Sequence, residues 1–140
     1  MLTKRGHCLC GAVAFEAEVE DGQYGACHCG MCRRWAGGPF FAKETEALGV
    51  TRGADKIVSY RSSDWAERAH CAVCGSNLWY YLVPKQQHIV AIGAFDDQSD
   101  MVLAAEIYID HKPGGYALAG NLKRMTEAEV IAAVVPGGTG

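Results

Sequence analysis

The sequence contains no apolar run approaching the roughly 20 residues that a membrane-spanning helix needs, so no bilayer partner is expected. It also has no excess of one charge. Thirteen Lys and Arg stand against 16 Asp and Glu, and the formal net charge of −3 is spread along the chain without a basic face or tail. That argues against nucleic acid as a partner. Aromatic residues are modest at 9% while glycine occupies 17 positions, a balance favouring short strands joined by turns over long helices. Met1 to His7 carries Lys4 and Arg5 but no apolar segment, so no secretory leader is expected and the expected address is cytoplasmic. There is no internal repeat and no low-complexity segment.

What the chain does have is cysteine. Seven thiols fit a complete disulfide framework poorly, because the count is odd. In a reducing compartment they point to metal binding or catalysis. With 140 residues, 49% of them hydrophobic, the chain can build one ordinary core without disulfide help. The expected organisation is a single zinc-binding domain over residues 1–135 and a flexible Gly-rich tail over residues 136–140.

The thiols divide into four and three. Cys27, Cys29 and Cys32 form a C-x-C fused to a C-x-x-C within one turn-sized loop, and Arg33 and Arg34 follow directly. Zinc takes thiolates at about 2.3 Å in a tetrahedron, and three ligands leave one position for a substrate. Cys8 with Cys10, and Cys71 with Cys74, form two knuckles far apart in sequence, each followed by a glycine. Together they make a closed four-thiolate site whose role is structural. The trio admits other readings. It could be a second structural zinc site completed by His28, His70, His7 or another residue, or it could recruit a knuckle cysteine. A redox dithiol at Cys29 and Cys32 is disfavoured, because the βαβ context is missing and Cys27 would be superfluous. Arg33 and Arg34 are either solvated surface or a clamp for the carboxylates of an anionic thiol-bearing ligand. His28 is weighed as a substrate contact. His7, His88 and His111 are given no role.

Strand patterns dominate the rest. Val13, Phe15, Ala17 and Val19 alternate with Glu16, Glu18 and Glu20, a period of two that marks a half-buried strand. Gln23 to Ala26 reads as a short return strand, and Trp35 to Pro39 as loop. Further strands are expected at Pro39–Ala42 (a strand start), Lys56–Tyr60, Asn77–Val83, His88–Phe95 and Ala104–Ile109. Glu44 to Val50 is ambiguous between a helical turn and a strand. Thr126 and Glu129 form a capping box that opens a short C-terminal helix. The sum is a mostly β domain of two packed sheets.

Three segments carry a resemblance. Gly6-His7-Cys8-Leu9-Cys10-Gly11-Ala12-Val13, Cys27-His28-Cys29-Gly30-Met31-Cys32-Arg33-Arg34 and Arg68-Ala69-His70-Cys71-Ala72-Val73-Cys74-Gly75-Ser76 are similar to the motifs of the glutathione-dependent formaldehyde-activating enzyme family, which includes the centromere protein V domain. The resemblance runs from about Leu2 to Asp110. It implies a β-rich Mss4-like fold with two zinc ions, one structural at Cys8, Cys10, Cys71 and Cys74, and one catalytic at Cys27, Cys29 and Cys32. It further implies a carbon–sulfur lyase of the S-(hydroxymethyl)glutathione synthase type, with Arg33 or Arg34 holding a glutathione carboxylate. Many members of the family act on other thiol adducts, and the stretch after Asp110 has no counterpart in the motifs. The expected partners are therefore a small-molecule thiol and an aldehyde, with oligomeric state left open. A non-catalytic zinc-stabilised binding module is the alternative.

Overall fold

In a computed structural model of the chain, residues 1–134 are described. The tail expected at residues 136–140 lies outside the described residues. In chain order the strands are β1 (Leu2–His7), β2 (Ala14–Val19), β3 (Gln23–Cys27), β4 (Phe40–Glu44), β5 (Ala47–Arg52) and β6 (Ile57–Ser63). Then follow β7 (Ala66–Cys71), β8 (Asn77–Leu82), β9 (Gln87–Ala91), β10 (Val102–Ile107) and β11 (Lys123–Met125). The α-helices are α1 (Gly30–Ala36) and α2 (Glu127–Val134). The fold is mostly β, as the patterning predicts.

Two compact units share the chain. One is built from Met1–Gly22 and Ala42–Met101, the other from Gln23–Phe41 and the segment from Val102 onward. In the first unit, β2 lies between β1 and β5, antiparallel to both. The alternation read at Val13 to Val19 is realised there. Val13, Phe15, Ala17 and Val19 are all buried while the intervening glutamates are not. A second antiparallel run of the same unit follows the order β4, β9, β8, β7, β6. Its core gathers Phe15, Leu78, Trp79, Val90 and Phe95 around Cys8 and Cys71. Phe15 meets Trp79 and Phe95 edge-on, with ring centroids 5.7 and 5.8 Å apart, the geometry the aromatic quadrupole favours. Gly6 belongs to the same contact: a Cβ added there would fall 2.3 Å from the Ala94 carbonyl oxygen and 2.4 Å from Phe15 Cζ. Of the ambiguous stretch Glu44 to Val50, Glu44 ends β4 and Ala47 to Val50 belong to β5, whose backbone completes the free edge of β2.

In the second unit, β10 is the central strand, parallel to β3 on one side and to β11 on the other. The segment Gln23 to Ala26 is a strand leading into the Cys27 loop, as read, but it does not pair with β2, whose partners are β1 and β5. It pairs instead with residues about 80 positions later. Against expectation, the segment after Arg34 is not loop from Trp35, because α1 continues to Ala36 and is closed by Gly37 in the left-handed region at φ 85°. Cys29 caps the start of α1, its Sγ accepting the Cys32 N–H at 3.3 Å. The capping box forms as read. Thr126 N–H donates to Glu129 Oε1 at 3.0 Å, and Glu129 N–H donates to Thr126 Oγ1 at 3.3 Å.

Candidate metal centres

Each unit carries one cysteine cluster. In the first, Cys8 and Cys10 leave the end of β1 in a turn closed by Gly11 N–H donating to the Cys8 carbonyl at 3.0 Å. Cys71 and Cys74 leave the end of β7 in a matching turn, with Gly75 N–H donating to the Cys71 carbonyl at 2.8 Å. Gly11 and Gly75 share the same left-handed φ of 79°, which explains the glycine after each knuckle. Leu9 N–H donates to Ser76 Oγ at 3.0 Å and ties one knuckle to the other.

The four sulfurs lie within 4.8 Å of one another. Cys8 and Cys10 are 3.6 Å apart at sulfur, and Cys10 and Cys71 are 3.9 Å apart. Four sulfurs about 2.3 Å from a central zinc would be separated by about 3.8 Å, so the donor set fits that ion. Backbone amides face the sulfurs, Val13 N–H donating to Cys8 Sγ at 3.3 Å and Val73 N–H to Cys71 Sγ at 3.4 Å. The thiols titrate apart. Hydrogen bonds from the Ser76 hydroxyl and amide hold Cys74 down to about 5. At Cys10 the Ala12 amide lowers the pKa, yet burial and the three neighbouring thiols outweigh it and push it up to about 11. At Cys8 burial raises the pKa, but the Val13 amide and bonds from Cys10 and Cys71 outweigh it and leave the thiol below its usual range. Clustered thiolates repel, and a central cation is what would let all four ionise.

The second cluster is Cys27, Cys29 and Cys32, whose sulfurs also lie within 4.8 Å of one another. Cys27 ends β3, Cys29 caps α1 and Cys32 sits buried in its first turn. Hydrogen bonding to Cys29 and Cys32, burial and the charges of those two sulfurs all push the Cys27 thiol far up. Three sulfurs converging without countercharge are again a donor set for a thiophilic cation. Among the described residues the group has three members.

The histidines weighed as a fourth ligand or substrate contact are placed differently. His28 is wholly buried, its Nε2 2.8 Å from Glu106 Oε1 and its Nδ1 2.9 Å from the Tyr116 hydroxyl. Its ring has no nitrogen left for a metal or a substrate. His7 belongs to the first unit, where its Nδ1 lies 2.5 Å from Asp96 Oδ1.

Arg33 and Arg34 both lie on α1. Arg33 Nε donates to the His28 carbonyl at 3.0 Å, and the exposed Arg34 donates from Nη1 to the Gly30 carbonyl at 3.4 Å. Both guanidinium ends fold back over Gly30, where an added Cβ would fall 3.3 Å from Arg34 Nη1 and 3.7 Å from Arg33 Nη2. Positive charge is thus concentrated beside Cys29.

The sequence reading missed Glu106, Tyr116 and Arg124. Glu106 is buried in β10 and takes Arg124 Nε on its second oxygen at 2.9 Å. The available signal was a lone carboxylate inside the apolar run Val102 to Ile107. Nothing local marks Tyr116 or Arg124.

The profile of the family described as "Glutathione-dependent formaldehyde-activating enzyme" matches residues 3–111. A Schizosaccharomyces pombe protein named an uncharacterized lyase is 30% identical over 131 residues, which cover 93% of this chain and 96% of that protein. A Halomonas elongata protein provisionally named a glutathione-dependent formaldehyde-activating enzyme is 29% identical over 121 residues, covering 77% of this chain and 76% of its own length. A crystal structure of a Rhodobacter sphaeroides protein, 24% identical, superposes with a TM-score of 0.59 over 71% of this chain and 99% of that one.

Proposed function

Since the chain belongs to the glutathione-dependent formaldehyde-activating enzyme family, we propose that it is a carbon–sulfur lyase that reversibly adds a thiol, glutathione first among candidates, to a small aldehyde such as formaldehyde. One observation supports this reading above the others. Cys27, Cys29 and Cys32 form a trio, and the histidine inside their loop is committed elsewhere by both ring nitrogens. The four-cysteine cluster is the structural site and the three-cysteine cluster the reactive one.

Cys27, Cys29 and Cys32 would hold a zinc ion, and Cys8, Cys10, Cys71 and Cys74 would hold a second. A zinc ion with three protein ligands supplies a place where a substrate thiol is bound as its thiolate. In the addition itself, the thiol sulfur forms a bond to the carbonyl carbon. The carbonyl π pair passes to oxygen, which takes up the proton the thiol gave up, so the sum of thiol and aldehyde equals the product. The chain's own residues contribute placement. Arg33 and Arg34 offer planar N–H donors next to the thiolate loop, and such forks match carboxylates two bonds at a time. Holding both ends of the thiol fixes its sulfur against the aldehyde and removes much of the entropic part of the barrier. Seven cysteines gathered in two clusters that could hold metal suit a reducing, glutathione-rich compartment such as the cytoplasm.

The test is metal stoichiometry followed by turnover. The reading expects two zinc ions per chain and catalysed exchange between ¹³C-formaldehyde and its glutathione adduct, followed by NMR. Replacing zinc with cobalt and titrating glutathione should shift the absorption bands of one site only. One metal per chain, or an exchange rate equal to the protein-free rate, would leave a zinc-stabilised binding module instead.

A further inference from the structure

Between Cys27 and Cys29 sits a residue whose every polar group is engaged. The His28 N–H donates to the Ile107 carbonyl at 3.1 Å, and its own carbonyl accepts from Arg33 Nε at 3.0 Å. Its ring nitrogens meet Glu106 Oε1 and the Tyr116 hydroxyl at 2.8 and 2.9 Å. Donors and acceptors balance when Nε2–H donates to Glu106 and Tyr116 donates to Nδ1. Arg124 then occupies the other Glu106 oxygen, so the buried carboxylate has a counter-ion. This network joins β10, the Tyr116 segment and β11 to a single point of the cysteine loop.

The point matters because of direction. Cys27 closes a strand and Cys29 keeps extended backbone, at φ −64° and ψ 156°. Successive side chains on extended backbone leave on opposite sides. Anchoring the His28 ring inward therefore turns the sulfurs of Cys27 and Cys29 together to the other side. Like charges on those sulfurs would otherwise spread the loop.

We infer that His28, Glu106 and Tyr116 are positioning residues, which hold Cys27 and Cys29 in the arrangement that accepts a metal ion. The inference rests on the reading of the three-cysteine cluster as a metal site. None of the three residues touches the ion or the substrate.

The test is zinc affinity, measured on the full chain by competition with a chromophoric chelator. Which zinc belongs to the three-cysteine site is read from Cys32→Ser, which should abolish that site alone. Glu106→Ala should weaken the three-cysteine site by about 10- to 100-fold, the usual effect of removing a residue that orients a ligand, and leave the four-cysteine site unchanged. Glu106→Gln, which keeps an acceptor for Nε2–H, should recover most of that affinity. Tyr116→Phe removes only the outer bond and should cost about 3- to 10-fold. Should Glu106→Ala fail to fold, Tyr116→Phe decides. Variants that melt earlier but bind both zinc ions as the parent does would overturn the inference and leave the metal reading standing. A parent protein with one zinc per chain would overturn both.

Discussion

Glu106 Oε1 and His28 Nε2 face each other at 2.8 Å, and neither side chain is more than 2% exposed. A carboxylate so placed depends on its second partner, Arg124 Nε at 2.9 Å. The arginine side chain is 46% exposed, so solvent already screens part of the pair. Arg124→Met is expected to lower the unfolding free energy by about 1–3 kcal/mol, less than the loss of a fully buried partner. Urea denaturation of the zinc-loaded protein checks it, and an unchanged midpoint would show the carboxylate satisfied by the imidazole and Tyr116 side alone.

Gly6 admits β1 against the aromatic core. Gly6→Ala would place its methyl 2.3 Å from the Ala94 carbonyl oxygen, which is backbone and cannot swing aside. The expected cost is about 3 kcal/mol, read as a drop in melting temperature, with the three-cysteine site still metal-competent. A variant as stable as the parent would mean that β1 can slide without loss.

The two clusters should respond differently to the loss of one sulfur. Cys71 is buried in the core of the first unit, and its cluster ties the ends of β1 and β7. Cys71→Ser should forfeit a structural zinc worth on the order of 10 kcal/mol and yield largely unfolded chain by circular dichroism. Cys32→Ser should remain folded, bind one zinc fewer and lose thiol–aldehyde exchange. Equal behaviour of the two variants would contradict the division into structural and reactive sites.

Gly30→Ala separates anion binding from chemistry. Its methyl meets Arg34 Nη1 at 3.3 Å, so that guanidinium must shift by a few tenths of an ångström while the helix stands, and Arg33 Nη2 at 3.7 Å is in ordinary contact. Losing about 1 kcal/mol of charge-assisted bonding should raise the KM for glutathione about fivefold. Affinity for 2-mercaptoethanol, which has no carboxylate, should not change. A parallel loss for both thiols would show the helix itself disturbed.

His88 gives the fold a pH dependence of known sign. It lies between Trp79 and Tyr81, with ring centroids 5.2 and 4.8 Å away, and burial holds its pKa below the usual histidine value. The unfolded chain therefore takes up the proton first as pH falls. Its contribution is complete above about pH 6.5 and is lost as pH drops through that value toward the lowered one. His88→Gln should flatten the slope of unfolding free energy between about pH 7 and 5.5 relative to the parent, both measured with zinc bound. Identical slopes would assign the acid sensitivity to the metal sites.

The legible parts of the fold were those written locally. Val13 to Val19 alternate because one face of β2 is core, and the knuckle glycines follow the cysteines because each turn needs a left-handed φ. The Thr126–Glu129 box spans three residues and forms as read. Helix α1 was missed because its cap is a cysteine rather than Ser, Thr, Asp or Asn, and because it is only seven residues long. The partner of β3 was missed because parallel pairing with β10 depends on residues about 80 positions away, which no local period encodes. The same separation hid Glu106, Tyr116 and Arg124, whose significance arises only where they meet His28.

That parallel pairing has a consequence for how the chain matures. A nascent polypeptide emerging from the ribosome presents all four ligands of the first cluster once Cys74 is out. The residues that back the second cluster, from Val102 to Arg124, emerge only later. The three-cysteine loop thus gains its backing after the first cluster has all its ligands. A stalled chain ending near residue 100 should already sequester one equivalent of zinc tightly and the other only loosely.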